Sequence, residues 1–411
     1  MVSFLLGNLR WLGGGLLLMF TNAFGQAWLI SLFAGEIMAA HGLSDGEWGV
    51  LFSVATLASA AALFYGGSLA DTIPLSRLAV GTSLLYALAC VGMAFAGSLW
   101  ALALSLFALR FAGQSMFGHI AMTAMGRWFR ARRGQAVAIV NLGNPAAKAF
   151  WPLPAALMLV AFGDRITWLA MAAFLVIVVA PSLAWLMSRS RAPQGRIEAD
   201  LGTPGLGGRH WTRTQALRHW LFPALIPQMM TGGFIVTSAY IHQVHIGEVN
   251  GWSIASMAPG YTFSALTAVL AALVAGWVSD RWGAEKLLPI SAIPLGLGVL
   301  LIGVSENVWG WIVGFALIGL NMGIGGTLWG ALLPRLYGTR HLGSVRSLMT
   351  VFMVASSAIG PAITGLLIDA GVGFDVQCLW MGAWCLGLSA VSFLILRRLS
   401  VETAAIPADT P

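Results

Sequence analysis

The sequence predicts an all-α polytopic membrane protein with 12 transmembrane helices in two pseudo-symmetric six-helix halves. Composition indicates the class, because 58% of the 411 residues are hydrophobic and 9% are charged, whereas soluble domains carry about 25% charged residues. The apolar runs are continuous over about 20 residues, which favours helical spans over the short alternating strands of a membrane barrel. A repeat with one fixed offset along the chain predicts the two halves.

Each apolar run is long enough to cross a hydrocarbon layer about 30 Å thick as a helix. The opening run has no small-residue cleavage site followed by a polar domain, so we interpret it as a span and not as a signal peptide. The predicted spans are 11–35, 48–70, 76–97, 99–125, 135–161, 166–188, 220–242, 254–279, 287–304, 308–333, 344–369 and 377–396. They define an N-terminal half at 1–188, a cytoplasmic linker at 189–219, a C-terminal half at 220–398 and a disordered cytoplasmic tail at 399–411.

The charges of the chain are distributed unevenly between the two sets of loops. Of the 22 lysines and arginines, all but Arg110, Lys148 and Arg165 fall on one side of the predicted spans. The positive-inside rule makes that side cytoplasmic, and an even number of spans places both termini there. The net charge of +7 therefore reflects membrane orientation, and we expect no nucleic-acid partner. We expect a monomer in the lipid bilayer of a bacterial inner membrane.

Several unrelated features recur at an offset of 209 residues. The pairs are Trp11 and Trp220, Gly67 and Gly276, Asp71 and Asp280, Arg77 and Lys286, Trp100 and Trp309, Gly134 and Gly343, and Pro152 and Pro361. Chance would scatter such offsets, so the pairs indicate an internal repeat. Two halves in the same orientation are then related by an axis along the membrane normal, with a central site between them.

Two short segments of this repeat resemble a known loop motif. The 67–77 segment, GSLADTIPLSR, and the 276–286 segment, GWVSDRWGAEK, look like the two copies of the loop motif of the major facilitator superfamily. The second copy keeps Gly276, Asp280, Arg281, Gly283 and Lys286. The first copy departs from the family pattern, because Pro74 stands where the family usually has Gly and Leu75 where it has a base.

The resemblance implies a transporter that works by alternating access and covers the chain from about residue 11 to 398. It implies gating roles for Asp71, Arg77, Asp280, Arg281 and Lys286, with ordinary solvated charges as the alternative. The segment RWFRARRGQAVAI, which begins at Arg127, is similar to loops in the branches that carry small organic anions, such as the monocarboxylate and oxalate/formate carriers.

Two cations lie deep within predicted spans. Lys148 lies roughly 20 Å along its helix from the arginine-rich surface, and Arg110 lies close to the midplane. A charge at such a depth needs a polar cavity, an anion or a set of backbone carbonyls. Asn141 and Asn144 precede Lys148 at helical spacing, which predicts an inward-facing polar stripe. We interpret Arg110 and Lys148 as substrate-binding residues; the alternatives are a structural arginine and a lysine reaching another polar partner.

Other polar groups at mid-span are weaker candidates for the substrate site: Asn22, Gln26, Gln228, Tyr261, Asn321 and Ser357. Such groups also serve simply to bond neighbouring helices in lipid. His119, His242 and His245 are conceivable proton carriers because imidazole titrates near neutral pH, although interfacial histidines are common. We find no Asp or Glu clearly at mid-membrane, so a dedicated carboxylate relay is not visible.

These residues predict a secondary active transporter of a small organic anion, a carboxylate, that operates by proton symport or by anion exchange. The alternative is a multidrug or hydrophobic-compound exporter, for which one expects buried acids. A membrane receptor that transports nothing would more naturally carry a large extramembrane domain. No enzyme, cofactor or metal is expected, because no nucleophile–base set occurs and Cys90, Cys378 and Cys385 lack metal-ligand spacing.

Overall fold

The computed structural model describes residues 2–129, 133–189 and 204–404. Part of the arginine cluster, most of the predicted linker and the last residues of the predicted tail lie outside these ranges. The described part of the chain is helical and contains no strand.

Long apolar helices follow the predicted spans. The first span is the bent pair Leu6–Gly25 and Ala27–His41, labelled α1. The next are α2 (Asp45–Gly66), α3 (Leu75–Ala94) and α4 (Leu99–Trp128), followed by the continuous segment Gln135–Leu186. The remaining spans are α7 (Leu221–Ile241), α8 (Ile254–Trp282), α9 (Ala284–Val304), α10 (Val308–Tyr337), α11 (Leu342–Asp369) and α12 (Phe374–Ala404).

The 52-residue segment Gln135–Leu186 contains two predicted spans. Gly163 interrupts it with φ 80° and ψ 173°, a left-handed conformation that favours a residue without a Cβ atom. We label the arms on either side α5 (135–162) and α6 (164–186). With these arms counted separately and the bent pair as one, the described residues contain the twelve predicted spans.

Helices extend into two ranges that the sequence assigned to the tail and to the linker. The last helix continues to Ala404, into the range assigned to the tail. The range assigned to the linker contains a short helix, Arg213–Arg218. Thr212 caps its N-terminus, because the Thr212 side chain accepts a hydrogen bond from the backbone amide of Gln215. Helical structure therefore extends beyond the apolar runs at these two places.

The chain divides into two compact units that the repeat only partly predicts. One unit comprises Met1–Glu198 together with Tyr240–Ala258, and the other comprises Ala199–Ala239 together with Pro259–Pro411. The segment after the end of α7, which includes the helix Gln243–Asn250, thus belongs to the unit formed by the N-terminal spans.

The first unit is built around a break in α1. Its backbone leaves the α-helical path at the 3₁₀ turn Asn22–Gly25, and the two arms differ in direction by 46°. Next to this turn, α4 widens into a π-helical stretch at Arg110–Phe117. A Cβ atom on Gly25 would clash with the carbonyl oxygen of Leu109, so the close approach of the two helices requires glycine there.

In the second unit, α8 and α10 approach each other through glycines. Cβ atoms on Gly319 and Gly323 would clash with the carbonyl oxygens of Ser264 and Ala268. Small residues allow such close backbone packing in membranes, where helix association depends on van der Waals contact. The α9 helix packs against both α10 and α12.

We expect Gly25→Ala to destabilise the protein by about 1–3 kcal/mol, because the added methyl group overpacks the contact between the α1 turn and α4. Thermal unfolding in one detergent would measure this. Gly118→Ala is the matched control, since a Cβ atom at Gly118 meets nothing within 4 Å. Equal melting temperatures for the two variants would contradict the prediction.

Candidate functional site

Arg110 is buried within the first unit and is only 2% exposed. Its Nε donates to Oγ1 of Thr56 at 3.1 Å, and its Nη1 donates to the carbonyl oxygen of Gly25 at 2.9 Å. The guanidinium carbon lies 4.6 Å from the centre of the Phe52 ring. These contacts correspond to the structural alternative raised by the sequence, in which the arginine ties α4 to neighbouring helices.

The contacts of Arg110 do not use all of its hydrogen-bonding capacity. A guanidinium has five N–H groups, and the described bonds to Thr56 and Gly25 use two of them. Both acceptors are neutral, as is the Phe52 ring. Among the residues described, no carboxylate forms an ion pair with Arg110. The side chain can therefore hold the α1 turn and still accept an anion.

Lys148 is also buried in the first unit, at 4% exposure. Its Nζ donates to the hydroxyl oxygen of Tyr240 at 2.7 Å and lies 5.2 Å from the centre of the tyrosine ring. Tyr240 stands at the end of α7, in the segment that belongs to this unit. The lysine therefore joins α5 to the end of α7.

The asparagines that precede Lys148 are less buried than the lysine. Asn141 is exposed and Asn144 is half-buried. The helix is interrupted at Leu142, between the segments Arg133–Asn141 and Gly143–Phe150. Burial along the predicted stripe therefore increases toward Lys148.

Asn22 and Gln26 fall at the break in α1. Asn22 is buried, its carbonyl oxygen accepts from the Tyr86 hydroxyl at 3.2 Å, and its Oδ1 has no partner among the described groups. Gln26 is half-buried and follows the turn in an extended conformation. The sequence singled out both residues, but the break that places them was not predicted.

Three of the candidates from the second unit contact neighbouring helices. Gln228 donates to Oγ of Ser291 at 2.7 Å, and Asn321 donates to the Ser291 carbonyl oxygen at 2.7 Å. Tyr261 is fully buried, and its ring centre lies 5.2 Å from that of Phe315. These contacts match the helix-bonding alternative, whereas Ser357 Oγ donates to the carbonyl of Val354 in its own helix at 2.9 Å.

The loop motifs contain contacts that the sequence did not suggest. His119 Nε2 lies 3.0 Å from the carbonyl oxygen of Gly67, and Arg127 Nη1 donates to that of Ala70 at 2.7 Å. In the second copy, Glu285 pairs with Arg335 at 3.1 Å. His119 therefore has a backbone partner at the motif, as expected for a structural histidine.

The residues assigned to gating lie at the surface where their side chains are described. Arg77, Asp280, Arg281 and Lys286 are exposed. The Arg281 guanidinium lies 5.8 Å and 5.7 Å from the ring centres of Trp277 and Trp282. The side chain of Asp71 lies outside the described part of the structure, so its predicted role stays a prediction.

An acid and two histidines meet at one end of the first unit. The two Asp45 oxygens lie 2.9 Å from Nδ1 of His245 and 3.4 Å from Nδ1 of His242. Asp45 is the first residue of α2, whose N-terminus is capped by a capping box between Ser44 and Glu47. Beside this cluster, Gln243 donates to Oγ of Ser31 at 2.7 Å. The sequence singled out the histidines but not Asp45, which lies 197 residues from His242.

Comparison with known proteins gives a family and several relatives. The sequence profile described as Major Facilitator Superfamily matches residues 15–261 and 229–410. Monocarboxylate transporter 11 of Mus musculus is 27% identical over 326 residues, which cover 77% of this chain and 71% of that protein. Multidrug resistance protein MdtG of Escherichia coli O1:K1 / APEC is 30% identical over 137 residues, 32% of each chain.

A solved structure supports the fold independently of the sequence matches. The crystal structure of a bacterial homologue of the human lysosomal transporter Spinster, in an inward-facing and occupied conformation, aligns with a TM-score of 0.67. The alignment covers 95% of this chain and 97% of that one, at 16% identity. The predicted major facilitator fold is therefore confirmed.

We expect the Asp45 cluster to hold the segment Gln243–Asn250 in place. The two oxygens of Asp45 contact His242 and His245, at the start of and within this part of the chain. Asp45→Asn removes the carboxylate charge, so it should lower the protection of the segment in hydrogen exchange that is corrected for intrinsic rates.

Asp375→Asn is the matched control, because it neutralises an exposed acid at the start of α12 and should leave the protection of the segment unchanged. Unchanged protection in Asp45→Asn would show that the cluster does not hold the segment.

Proposed function

The chain belongs to the Major Facilitator Superfamily, and we propose that it carries a small organic anion, a carboxylate, across its membrane by alternating access. It is a multi-pass membrane transporter and not an enzyme. The finer assignment of substrate is supported by the charges within the spans.

The observation that carries the proposal is the sign of the buried charge. Among the described side chains, Arg110 and Lys148 are buried, whereas no Asp or Glu is. Removing an ammonium or guanidinium group from water costs several kcal/mol unless opposite charge or hydrogen bonds offset it. An anionic substrate would offset that cost for Arg110, whose described partners are neutral.

The two cations suit different parts of carboxylate recognition. A guanidinium with unused N–H groups can bond both oxygens of a carboxylate, which fixes its orientation. An ammonium on a flexible stem acts as a point charge, and the Tyr240 hydroxyl holds that of Lys148. We assign Arg110 and Lys148 to the substrate site, with Asn22, Gln26, Asn141 and Asn144 as its polar surroundings in the first unit.

The relatives agree with an anion but also include other substrates. The relative matched over most of its length is named a monocarboxylate transporter, whereas a multidrug resistance protein matches over about a third of the chain. An exporter of cationic drugs would be expected to place acids within the spans. The buried charges of the described residues have the opposite sign, which favours the carboxylate.

The remaining aspects of the proposal concern coupling, gating and location. Transport operates either by proton symport, with the proton travelling with the anion or on a histidine, or by anion exchange. Asp71, Arg77, Asp280, Arg281 and Lys286 take gating roles at the loop motifs. The protein acts as a monomer in a bacterial inner membrane with both termini in the cytoplasm.

We expect carboxylates to stabilise the purified protein, and Lys148→Gln to weaken that effect. A ligand at 100 times its dissociation constant stabilises by about 2.7 kcal/mol, and loss of the ammonium charge should raise that constant. Thermal unfolding with a panel of monocarboxylates and dicarboxylates would measure this, with amines and neutral solutes for comparison.

Arg340→Gln is the control, because it removes a positive charge from an exposed position to which no role is assigned and should leave carboxylate binding intact. Stabilisation by amines alone, or an equal response of both variants to every carboxylate, would contradict the proposal. Arg110→Lys keeps the charge but not the fork, and because the fork also bonds Thr56 and Gly25, this variant changes folding as well as orientation.

A further inference from the structure

The second unit contains an apolar cavity that the proposed transport site does not use. It has a volume of about 580 Å³, within the range of about 300–1,000 Å³ typical of ligand sites. It lies among α7, α11 and α12, and its lining includes Met230, Phe234, Ile363, Trp380 and Trp384. All of its lining residues belong to the second unit.

A close contact between two helices forms one wall of the cavity. A Cβ atom on Gly233 would clash with the side chain of Ser356, and one on Gly360 would lie 2.6 Å from the carbonyl oxygen of Phe234. Both helices contain proline, Pro227 in α7 and Pro361 in α11, and proline kinks a helix. Helices α7 and α11 therefore contact each other at Gly233 and Gly360, and residues of α12 form the remaining wall of the cavity.

The polar groups in the lining are bonded to the protein itself, except for Oε1 of Gln377, which has no partner among the described residues, although its Nε2 donates to the carbonyls of Thr364 and Val372. Trp384 Nε1 donates to Oγ1 of Thr231 at 2.9 Å, and Thr231 donates to the carbonyl of Pro227 at 2.7 Å. Ser356 and Thr364 each donate to a backbone carbonyl one turn earlier. An occupant therefore meets hydrocarbon and aromatic surface, and the site suits an apolar ligand and not a carboxylate.

On α11 the lining of the cavity spans about one leaflet of a bilayer, because it extends from Ser356 to Leu367, about 16 Å at 1.5 Å per residue. This is close to half of a hydrocarbon layer about 30 Å thick. On α7 the lining continues to Ile226, about 10 Å beyond Gly233, which packs against Ser356, so the deep end passes the middle of α11. The shallow end lies near the turn between Asp369 and Phe374, on the side that the charge pattern predicts to be external.

The cavity also opens along the surface of the helices. Trp380, Trp384 and Ile363 line it and are exposed. Apolar cavities are not filled by ordered water, and membrane helices associate through van der Waals packing. An extended hydrocarbon chain can fill such a cavity from the side, whereas a water-soluble ligand gains nothing there.

We propose that this cavity holds one acyl chain of a phospholipid from the adjacent leaflet, with the chain end against Met230 and Ser356 and the glycerol end near Leu367. The bound chain completes the packing of α7 against α11 and α12. The site is distinct from Arg110 and Lys148 and does not depend on the identity of the transported solute.

Photo-crosslinking tests the proposal on the full chain in nanodiscs. Two phosphatidylethanolamine probes are compared, one with a diazirine near the end of an acyl chain and one with it near the ester. Peptide mass spectrometry should map the first to the region of Met230 and Ser356 and the second to the region of Leu367. Unlabelled phosphatidylethanolamine should compete for both.

A pair of variants on one helix face separates this site from ordinary surface lipid. Ile363→Trp fills a cavity-lining position and should abolish the saturable labelling. Ile359→Trp, one turn earlier and outside the lining, should not, although the two isoleucines are equally exposed, at 43% and 42%. Because the depth pattern is measured in the wild type, the test does not depend on the variants folding.

Three outcomes would overturn the proposal. The first is that both probes label the same residues, so that the acyl end and the ester end are not separated in depth. The second is labelling no stronger than that of the exposed residues Leu270 and Leu273 on α8, which would indicate surface lipid only. The third is displacement of the probe by an apolar cationic dye but not by phosphatidylethanolamine. That result would assign the cavity to a hydrophobic solute and favour the exporter reading of the protein.

Discussion

The carbonyl groups released where α1 breaks must find donors inside the protein, because a bilayer interior offers no water to bond them. Tyr86 supplies one donor, to Asn22, and Arg110 supplies another, to Gly25. The wide π-helical turn of α4 begins at Arg110, directly against the broken turn of α1. The packing of the first unit therefore depends on a charged side chain that is placed where two irregular backbone segments meet.

This arrangement explains why a structural and a binding role for Arg110 do not exclude each other. A lysine at this position would have one compact charged group, whereas a guanidinium can bond Thr56 and Gly25 with two N–H groups and keep others for a ligand. Because it keeps its charge at physiological pH, the residue also contributes a permanent positive field. Substitution at Arg110 would thus affect folding together with the proposed binding role.

Hydropathy predicted the twelve spans because each must bury about 20 apolar residues, whatever its neighbours are. It also predicted the division at Gly163, where the apolar run is interrupted by polar residues. It could not predict the break at Asn22–Gly25, since no proline marks it and its carbonyls are bonded from α3 and α4. Arg110 and Lys148 were identifiable because charge is rare in spans, but their partners were not. The contacts of Asp45 with His242 and of Lys148 with Tyr240 join distant parts of the chain, which local patterns do not encode.

These long-range bonds link the proposed substrate site to the end of α7. Lys148 bonds Tyr240, Ser31 bonds Gln243, and Asp45 contacts both histidines, so the segment from Tyr240 onward is held by the first unit at several points. In the proposed transport cycle, a carboxylate that engages Lys148 competes with the Tyr240 hydroxyl for the ammonium group. A ligand shifts a conformational equilibrium only through its differential affinity for the two states. The proposed anion would therefore change how firmly this segment is held, which would link substrate binding to the end of α7 without a carboxylate at mid-membrane.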